Sequence, residues 1–144
     1  MRSPSSTLVV DAAVLVAAAR GRSSGALLQA ARAARLVTTD RVVQEARRRI
    51  ELGLNRPDLL PIVDALVAEM TVLPLAALTP LIEPSETALR YAVASGNGST
   101  RDAHVLALAW SVAADVWTSD RDFAGTGVAT WSTPNLMLGM AAGT

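Results

Sequence analysis

The sequence predicts an α/β protein, a three-layer α/β/α sandwich around a central, mostly parallel sheet. Short apolar, β-branched runs of strand length alternate with longer helix-forming segments, which is the order of elements in a parallel sheet. Each run is apolar at consecutive positions, as expected for strands that are covered on both faces. The chain of 144 residues has the size of one domain, and its 51% of hydrophobic residues can form one core. We therefore expect a single domain over residues 1–144.

Five short runs predict the strands of this sheet. The first run ends in an aspartate, Asp11, and Pro74 interrupts the third. Proline lacks the backbone N–H that a central strand needs, which weakens the prediction of a strand there. The predicted strands cover residues 8–10, 36–38, 71–75, 115–118 and 128–132.

Seven segments predict helices between and after these strands. Asp40 is expected to cap the third helix, which Gly53 would end. Pro57 suits the first turn of the fourth helix, Pro84 and Ser85 are expected to open the fifth, and Thr100 is expected to cap the sixth. The predicted helices cover residues 12–19, 26–34, 41–52, 57 to about 70, 84 to about 95, 101–113 and 134–141.

Composition excludes several classes of protein. There is no cysteine, which rules out disulfides and thiolate metal sites. No apolar run has the length of a membrane span, and the N-terminal segment lacks the long apolar region of a signal peptide. We therefore expect a cytoplasmic protein without a membrane partner. The net charge of zero argues against tight, non-specific binding of nucleic acid, although all 13 basic residues are arginines, which suit phosphate contacts.

Carboxylates stand at the positions where a parallel sheet places its active site. Asp11 ends the first strand, Asp120 and Asp122 follow the fourth, and Asp102 lies in the first turn of the helix before it. Ligands of open α/β sheets bind beyond the carboxyl ends of the strands. Each acid also has a structural interpretation, since a helix N-terminus favours Asp102 and a turn favours Asp120. Asp11 is harder to explain in this way, because an acid that closes a buried strand is costly.

Glu45 is a fourth candidate, in the middle of the third helix. Its neighbours Val42 and Ala46 predict that its side chain lies at the edge of an apolar face. It could instead pair with Arg48 or Arg49 on the same helix. Carboxylates that gather in one place repel one another and need a cation, and oxygen ligands favour Mg²⁺ or Mn²⁺.

The order of these motifs resembles the PIN domain family and, within it, the VapC-like toxins of type II toxin–antitoxin pairs. The most specific pieces are Asp-Ala-x-x-x-x-x-Ala over residues 102–109 and Thr-x-Asp-x-Asp-Phe over residues 118–123. Less specific are Leu-Val-Val-Asp over residues 8–11 and Val-Val-Gln-Glu over residues 42–45. The resemblance extends from about residue 8 to residue 137.

This resemblance implies a Mg²⁺- or Mn²⁺-dependent endoribonuclease with the catalytic residues Asp11, Glu45, Asp102 and Asp120. Asp11, Asp102 and Asp120 would hold a metal ion together with Asp122, and Glu45 would hold a second ion or orient the attacking water. The cation would lower the pKa of that water and neutralise charge on the phosphoryl oxygens. The family also implies an RNA substrate, products with a 5′-phosphate and a 3′-hydroxyl, a cognate antitoxin protein and a homodimer.

Two features concern activity and substrate binding. Relatives usually carry Thr or Ser after the first aspartate, whereas this chain has Ala12 and Ala13, so a hydroxyl that could hold a carboxylate is missing. The arginines expected to bind substrate phosphates are Arg48, Arg49, Arg101 and Arg121. The single histidine, His104, is expected to be structural or to lie at the edge of the site, and covalent catalysis is not expected.

Other functions remain open from the sequence. The chain could be a PIN-fold nuclease of RNA processing or DNA repair, outside any toxin–antitoxin pair. It could also be a catalytically impaired module that binds metal or RNA, which the Ala12-Ala13 departure favours and the intact acids oppose. A receiver-type phosphoacceptor domain would need a lysine late in the chain, and this sequence has none.

Overall fold

The computed structural model contains a five-stranded parallel sheet in the order β3-β2-β1-β4-β5. It describes residues 3–22, 24–91, 103–119, 123 and 126–142. All four strand pairings are parallel, which confirms the predicted fold class. The strands are β1 (Thr7–Val10), β2 (Arg35–Thr39), β3 (Thr71–Leu73), β4 (Asp115–Trp117) and β5 (Thr130–Trp131). β3 ends directly before Pro74, where the backbone donor is lost.

Seven α-helices lie in the described part of the chain, together with short segments of other helix types. They are α1 (Ala12–Ala19), α2 (Ser24–Ala33), α3 (Asp40–Arg48), α4 (Leu60–Val67), α5 (Thr79–Arg90), α6 (Ala103–Ser111) and α7 (Thr133–Ala142). A π-helical turn (Arg49–Gly53) extends α3, and 3₁₀ turns (Pro57–Leu59 and Leu75–Leu78) precede α4 and α5. No helix among the described residues is both long and apolar enough to cross a membrane.

The cap of α3 differs from the prediction. Thr39, not Asp40, is the N-cap, and its hydroxyl accepts a hydrogen bond from the amide of Val42 at 3.0 Å. The Asp40 carboxylate instead accepts from the amide of Leu75, 35 residues away, at 3.0 Å. Asp40 therefore joins the start of α3 to the turn that follows β3, a contact between distant segments that local sequence does not reveal.

The start of α5 was predicted wrongly. The helix begins at Thr79, so that Pro84 lies inside it instead of opening it. Pro84 has no N–H and removes one helical hydrogen bond. The turn before it is nevertheless helical, because Leu81 and Ile82 pack against the hydrophobic core. Burial of these side chains outweighs the local preference of proline.

The strand order determines where a ligand site can lie. Parallel crossovers are almost always right-handed, so the change of direction after β3 places α5 and α6 on the opposite face from the helices between β1 and β3. The packing agrees, since α1, α3 and α4 contact one another, whereas α6 contacts α5, β1, β2 and β4. Strand order reverses between β1 and β4, and the crevice beyond their carboxyl ends is the topological switch point.

Candidate active site

Asp11 lies at this switch point, directly after β1. Its carboxylate is buried, with 5% of the residue exposed. Oδ1 accepts a hydrogen bond from the amide of Ala12 at 2.7 Å, so that Asp11 caps α1. The amide of Asp11 donates to the carbonyl of Trp117 at 3.1 Å and continues the β1–β4 ladder. The predicted acid therefore lies at the edge of the sheet where a parallel fold binds its ligand.

Thr118 supplies a hydroxyl to the same carboxylate. Its Oγ1 donates to Oδ2 of Asp11 at 2.6 Å, across 107 residues of sequence, and both side chains are buried. Thr118 belongs to the Thr-x-Asp-x-Asp-Phe motif, but the sequence pattern assigns no role to its hydroxyl. The feature that could have identified it is a polar residue at the end of a buried strand, which pairs with the strand that ends in Asp11. Thr118 holds the Asp11 carboxylate although the neighbouring position 12 is an alanine.

Replacing Thr118 by Val is expected to reduce any metal-dependent cleavage about 10- to 100-fold, as loss of an outer-shell partner of a metal ligand typically does. Valine keeps the shape and removes the donor to Asp11. Thr118→Ser should restore most of the activity, and Thr130→Val, at an exposed threonine of β5, should leave it unchanged. Steady-state cleavage assays would measure the three variants. Full activity of Thr118→Val would show that this hydrogen bond is dispensable.

A second buried hydrogen bond joins the ends of β2 and α6. Oγ1 of Thr39 lies 2.9 Å from Nδ1 of His104, and it already accepts from the amide of Val42. The hydroxyl can donate to Nδ1 or accept from it, so the hydrogen bond fixes the orientation of the ring in either tautomer of the neutral imidazole. Burial, and secondly the positive charge of Arg41, lower the pKa of His104 from 6.5 to about 4. His104 is thus a neutral, fixed residue at the carboxyl edge of the sheet.

This pKa predicts a pH dependence of stability. Between about pH 6.5 and 4 the unfolded chain binds a proton on His104 that the folded protein does not, so the free energy of unfolding falls as pH is lowered through this range. The loss is up to about 3 kcal/mol, from the difference between the two pKa values. Urea denaturation of metal-free protein across this range, with His104→Asn as the non-titrating control, measures it. Identical pH profiles would contradict the prediction.

Glu45 lies on the same side as His104, but it has an ion-pair partner. Its carboxylate accepts from Arg49 at 3.0 Å, and 26% of its side chain is exposed. Glu45 and His104 both line a cavity of about 190 Å³. Glu45 therefore adopts the helical pairing that the sequence left open, while it still faces a cavity next to the first turn of α6.

The other predicted site residues lie outside the described part of the chain. These are Asp102, Asp120, Asp122, Arg101 and Arg121. Described residues lie close to two of them in the sequence: Ala103, which begins α6, follows Asp102, and Thr118, which contacts Asp11, precedes Asp120 by two positions. Over the described ranges no three His, Asp or Glu side chains come close enough to hold a metal ion. The buried carboxylate of Asp11 is the kind of oxygen ligand that a hard divalent cation prefers.

Together these features define a parallel α/β protein whose candidate site is a buried carboxylate at the topological switch point. A sequence model of the PIN domain matches residues 9–140. The chain therefore belongs to the PIN domain family. PIN domains are generally metal-dependent nucleases, which bind nucleic acid and typically use divalent metal ions.

A solved structure supports the fold assignment. The crystal structure of PAE2754 from Pyrobaculum aerophilum resembles this chain with a TM-score of 0.62 at 20% sequence identity. The similarity covers 94% of this chain and 90% of that one. No curated protein matches the sequence significantly.

Proposed function

We propose that this PIN domain is a Mg²⁺- or Mn²⁺-dependent endoribonuclease and the VapC-like toxin of a type II toxin–antitoxin pair. The observation that carries the nuclease part is the buried Asp11 carboxylate at the switch point, held by Thr118. Buried charges in proteins are normally paired or bound to a metal ion. A divalent cation at this edge would stabilise the carboxylate and would lie where an α/β sheet binds its ligand.

The proposed metal ligands are Asp11, Asp102 and Asp120, with Asp122 as a further acid. A bound divalent cation supplies Lewis-acid stabilisation of the phosphoryl oxygens. The protein's part is to hold the carboxylates, and among the described residues Thr118 and the Ala12 amide donate hydrogen bonds to that of Asp11. The Thr118 contact also opposes the interpretation of the chain as an impaired module, because the carboxylate is oriented without a hydroxyl at position 12.

Glu45 enters the proposal as the residue that orients the attacking water or holds a second cation. Its ion pair with Arg49 neutralises its charge in the absence of metal. The four arginines predicted to bind substrate have different roles in this proposal. Arg49 acts on Glu45, whereas Arg48 lines the cavity next to His104 and, within the described part of the chain, forms no ion pair that would keep it from a phosphate. Arg101 and Arg121 keep their proposed role as phosphate contacts.

The test of the nuclease part is cleavage of an end-labelled RNA by purified protein. We expect cleavage with Mg²⁺ or Mn²⁺, none with EDTA, and recovery when excess metal is restored. The products should carry a 5′-phosphate and a 3′-hydroxyl. Cleavage that continues unchanged in EDTA would reject the proposed chemistry.

The toxin part is supported by the order of motifs that resembles VapC-like proteins, and it implies a cognate antitoxin and a homodimer. Induced expression should stop cell growth, and co-expression of a cognate antitoxin from a short adjacent reading frame should relieve the arrest. A protein that cleaves RNA without affecting growth would favour the alternative, a PIN nuclease of RNA processing or DNA repair.

A further inference from the structure

We propose that a groove along α3, formed by Arg41, Gln44, Arg48 and His104, binds a single-stranded segment of the RNA beside the cleavage site. Arg41 and Arg48 would contact phosphates, and Gln44 and His104 would contact the base or ribose between them. The identity of the strand as substrate RNA rests on the proposed function. The binding surface itself rests on the geometry of the described residues.

The two arginines form a pair of positive charges on one helix face. Arg41 and Arg48 are seven residues apart, so they lie about two turns and 10 Å apart along the axis of α3. Both are exposed. The ion pairs of the described chain use other arginines, namely Arg47, Arg49 and Arg56. Two guanidinium groups therefore remain available to phosphates, which they can bind in a bidentate manner.

The shape of the surface connects these arginines to the candidate active site. The cavity of about 190 Å³ is lined by both arginines, Gln44, Glu45 and His104. A wider depression of about 710 Å³ shares Arg41, Gln44 and Arg48 with it and extends to Asp40 and Leu75. One groove thus leads from Glu45 and His104, at the carboxyl edge of the sheet, outward along α3.

The positive charges of the groove exceed its negative charges. Glu45 is paired with Arg49, whereas the Asp40 carboxylate accepts from the amide of Leu75 and keeps its negative charge. Arg47, at the outer rim, is paired with Asp64. The groove therefore keeps a positive character from Arg41 and Arg48, which favours an anionic strand.

Neutral hydrogen-bonding groups lie between the two charges. The hydrogen bond to Thr39 uses Nδ1 of His104, so Nε2 is the ring nitrogen that remains for a ligand, and it has no partner among the described residues. Gln44 is exposed on the same face of α3, three residues after Arg41. A ring nitrogen and an amide beside two phosphate-binding groups match the edge of an unpaired base or a 2′-hydroxyl. Together with the charges of Arg41 and Arg48, this arrangement favours a nucleotide strand, in which phosphates alternate with base and ribose edges.

The experiment measures binding of a short fluorescein-labelled single-stranded RNA by anisotropy in EDTA, between about 50 and 200 mM NaCl. Each phosphate contact contributes about 0.7 to the slope of log K against log salt for a single strand. Arg41→Gln and Arg48→Gln should each make the slope shallower by about 0.7. A fourfold rise in salt concentration should then weaken RNA binding by each variant about 2.6-fold less than it weakens RNA binding by the wild type.

Two further variants test the neutral contacts. Gln44→Ala and His104→Asn should weaken binding several-fold without changing the slope, since they remove no charge. Asparagine can still accept the hydrogen bond of Thr39, which protects the fold. Arg35→Gln is the matched control, because Arg35 begins β2 at the opposite edge of the sheet and is exposed. Its affinity and slope should stay near the wild-type values.

Unchanged slopes for both Arg41→Gln and Arg48→Gln, or no binding of the RNA by wild-type protein at low salt, would overturn the proposal. So would poly-glutamate that binds with the same dependence on the two arginines while RNA does not, since the groove would then be a protein-docking surface. Binding with the expected slopes but no cleavage in Mg²⁺ would reject the nuclease function and leave the groove intact.

Discussion

Asp11→Asn is expected to lower the rate of RNA cleavage by more than about 100-fold, beyond the usual effect of losing an outer-shell partner. The change removes the negative charge of a buried carboxylate at the switch point and leaves its shape. The amide oxygen can still accept from the Ala12 amide, and the amide nitrogen can donate to Thr118. Folding should therefore be retained while a hard cation loses an anionic ligand.

Two measurements separate this effect from a loss of structure. Calorimetric titration with Mn²⁺ should show weaker binding by Asp11→Asn, and its thermal unfolding should remain close to that of the wild type. Asp58→Asn is the matched control, because Asp58 is exposed and pairs only with its neighbour Arg56 in the described chain. Its cleavage rate should not change. Retention of most of the wild-type rate by Asp11→Asn would remove Asp11 from the catalytic set.

Trp117→Ala is expected to cost about 3–5 kcal/mol of unfolding free energy, as typical for truncation of a buried aromatic side chain. Trp117 is fully buried in β4. Its indole Nε1 donates to Oγ1 of Thr133 at 3.0 Å and joins β4 to the start of α7. The variant would lose both the packing and this link. Because Thr118 directly follows Trp117, the variant should also displace the Thr118 hydroxyl from the Asp11 carboxylate.

Urea denaturation and thermal unfolding measure the loss. For a chain of this length we expect the melting temperature to fall by roughly 10 °C, at about 2–4 °C for each kcal/mol. Trp117→Phe keeps a ring in the core and should cost less, whereas Tyr91→Ala, at a residue that is 74% exposed, should stay within about 0.5 kcal/mol. A decrease of only a few degrees for Trp117→Ala would contradict the assigned packing.

Local patterns predicted most of the fold because they report burial and backbone preference directly. The apolar runs marked all five strands, although β3 ends at Leu73, before Pro74, and not at residue 75 as predicted. The wrong predictions concern residues whose conformation depends on contacts with distant segments. Pro84 lies inside α5 because Leu81 and Ile82 pack on the core. Asp40 bonds the amide of Leu75 instead of capping its own helix.

In the candidate site, too, some features follow from the sequence and others required the structure. Sequence position was enough to place Asp11 at the carboxyl edge of the sheet, since a residue that ends a parallel strand lies there. The choice between an inward Glu45 and a helical ion pair needed the structure, which shows the pair with Arg49. The role of His104 also needed it, because its neighbour Thr39 is 65 residues away.

The sequence by itself determined the α/β fold class, the Asp11 carboxylate at a strand end and the oxygen chemistry that suits Mg²⁺ or Mn²⁺. These follow from hydrophobic pattern and residue type, which act locally. Only the tertiary structure decided that β1 lies beside β4, so that Thr118 holds Asp11 across 107 residues. It also decided that Arg41 and Arg48 share a groove with His104. The physical reason is that strand order and side-chain partners depend on contacts between distant segments, which no local pattern encodes.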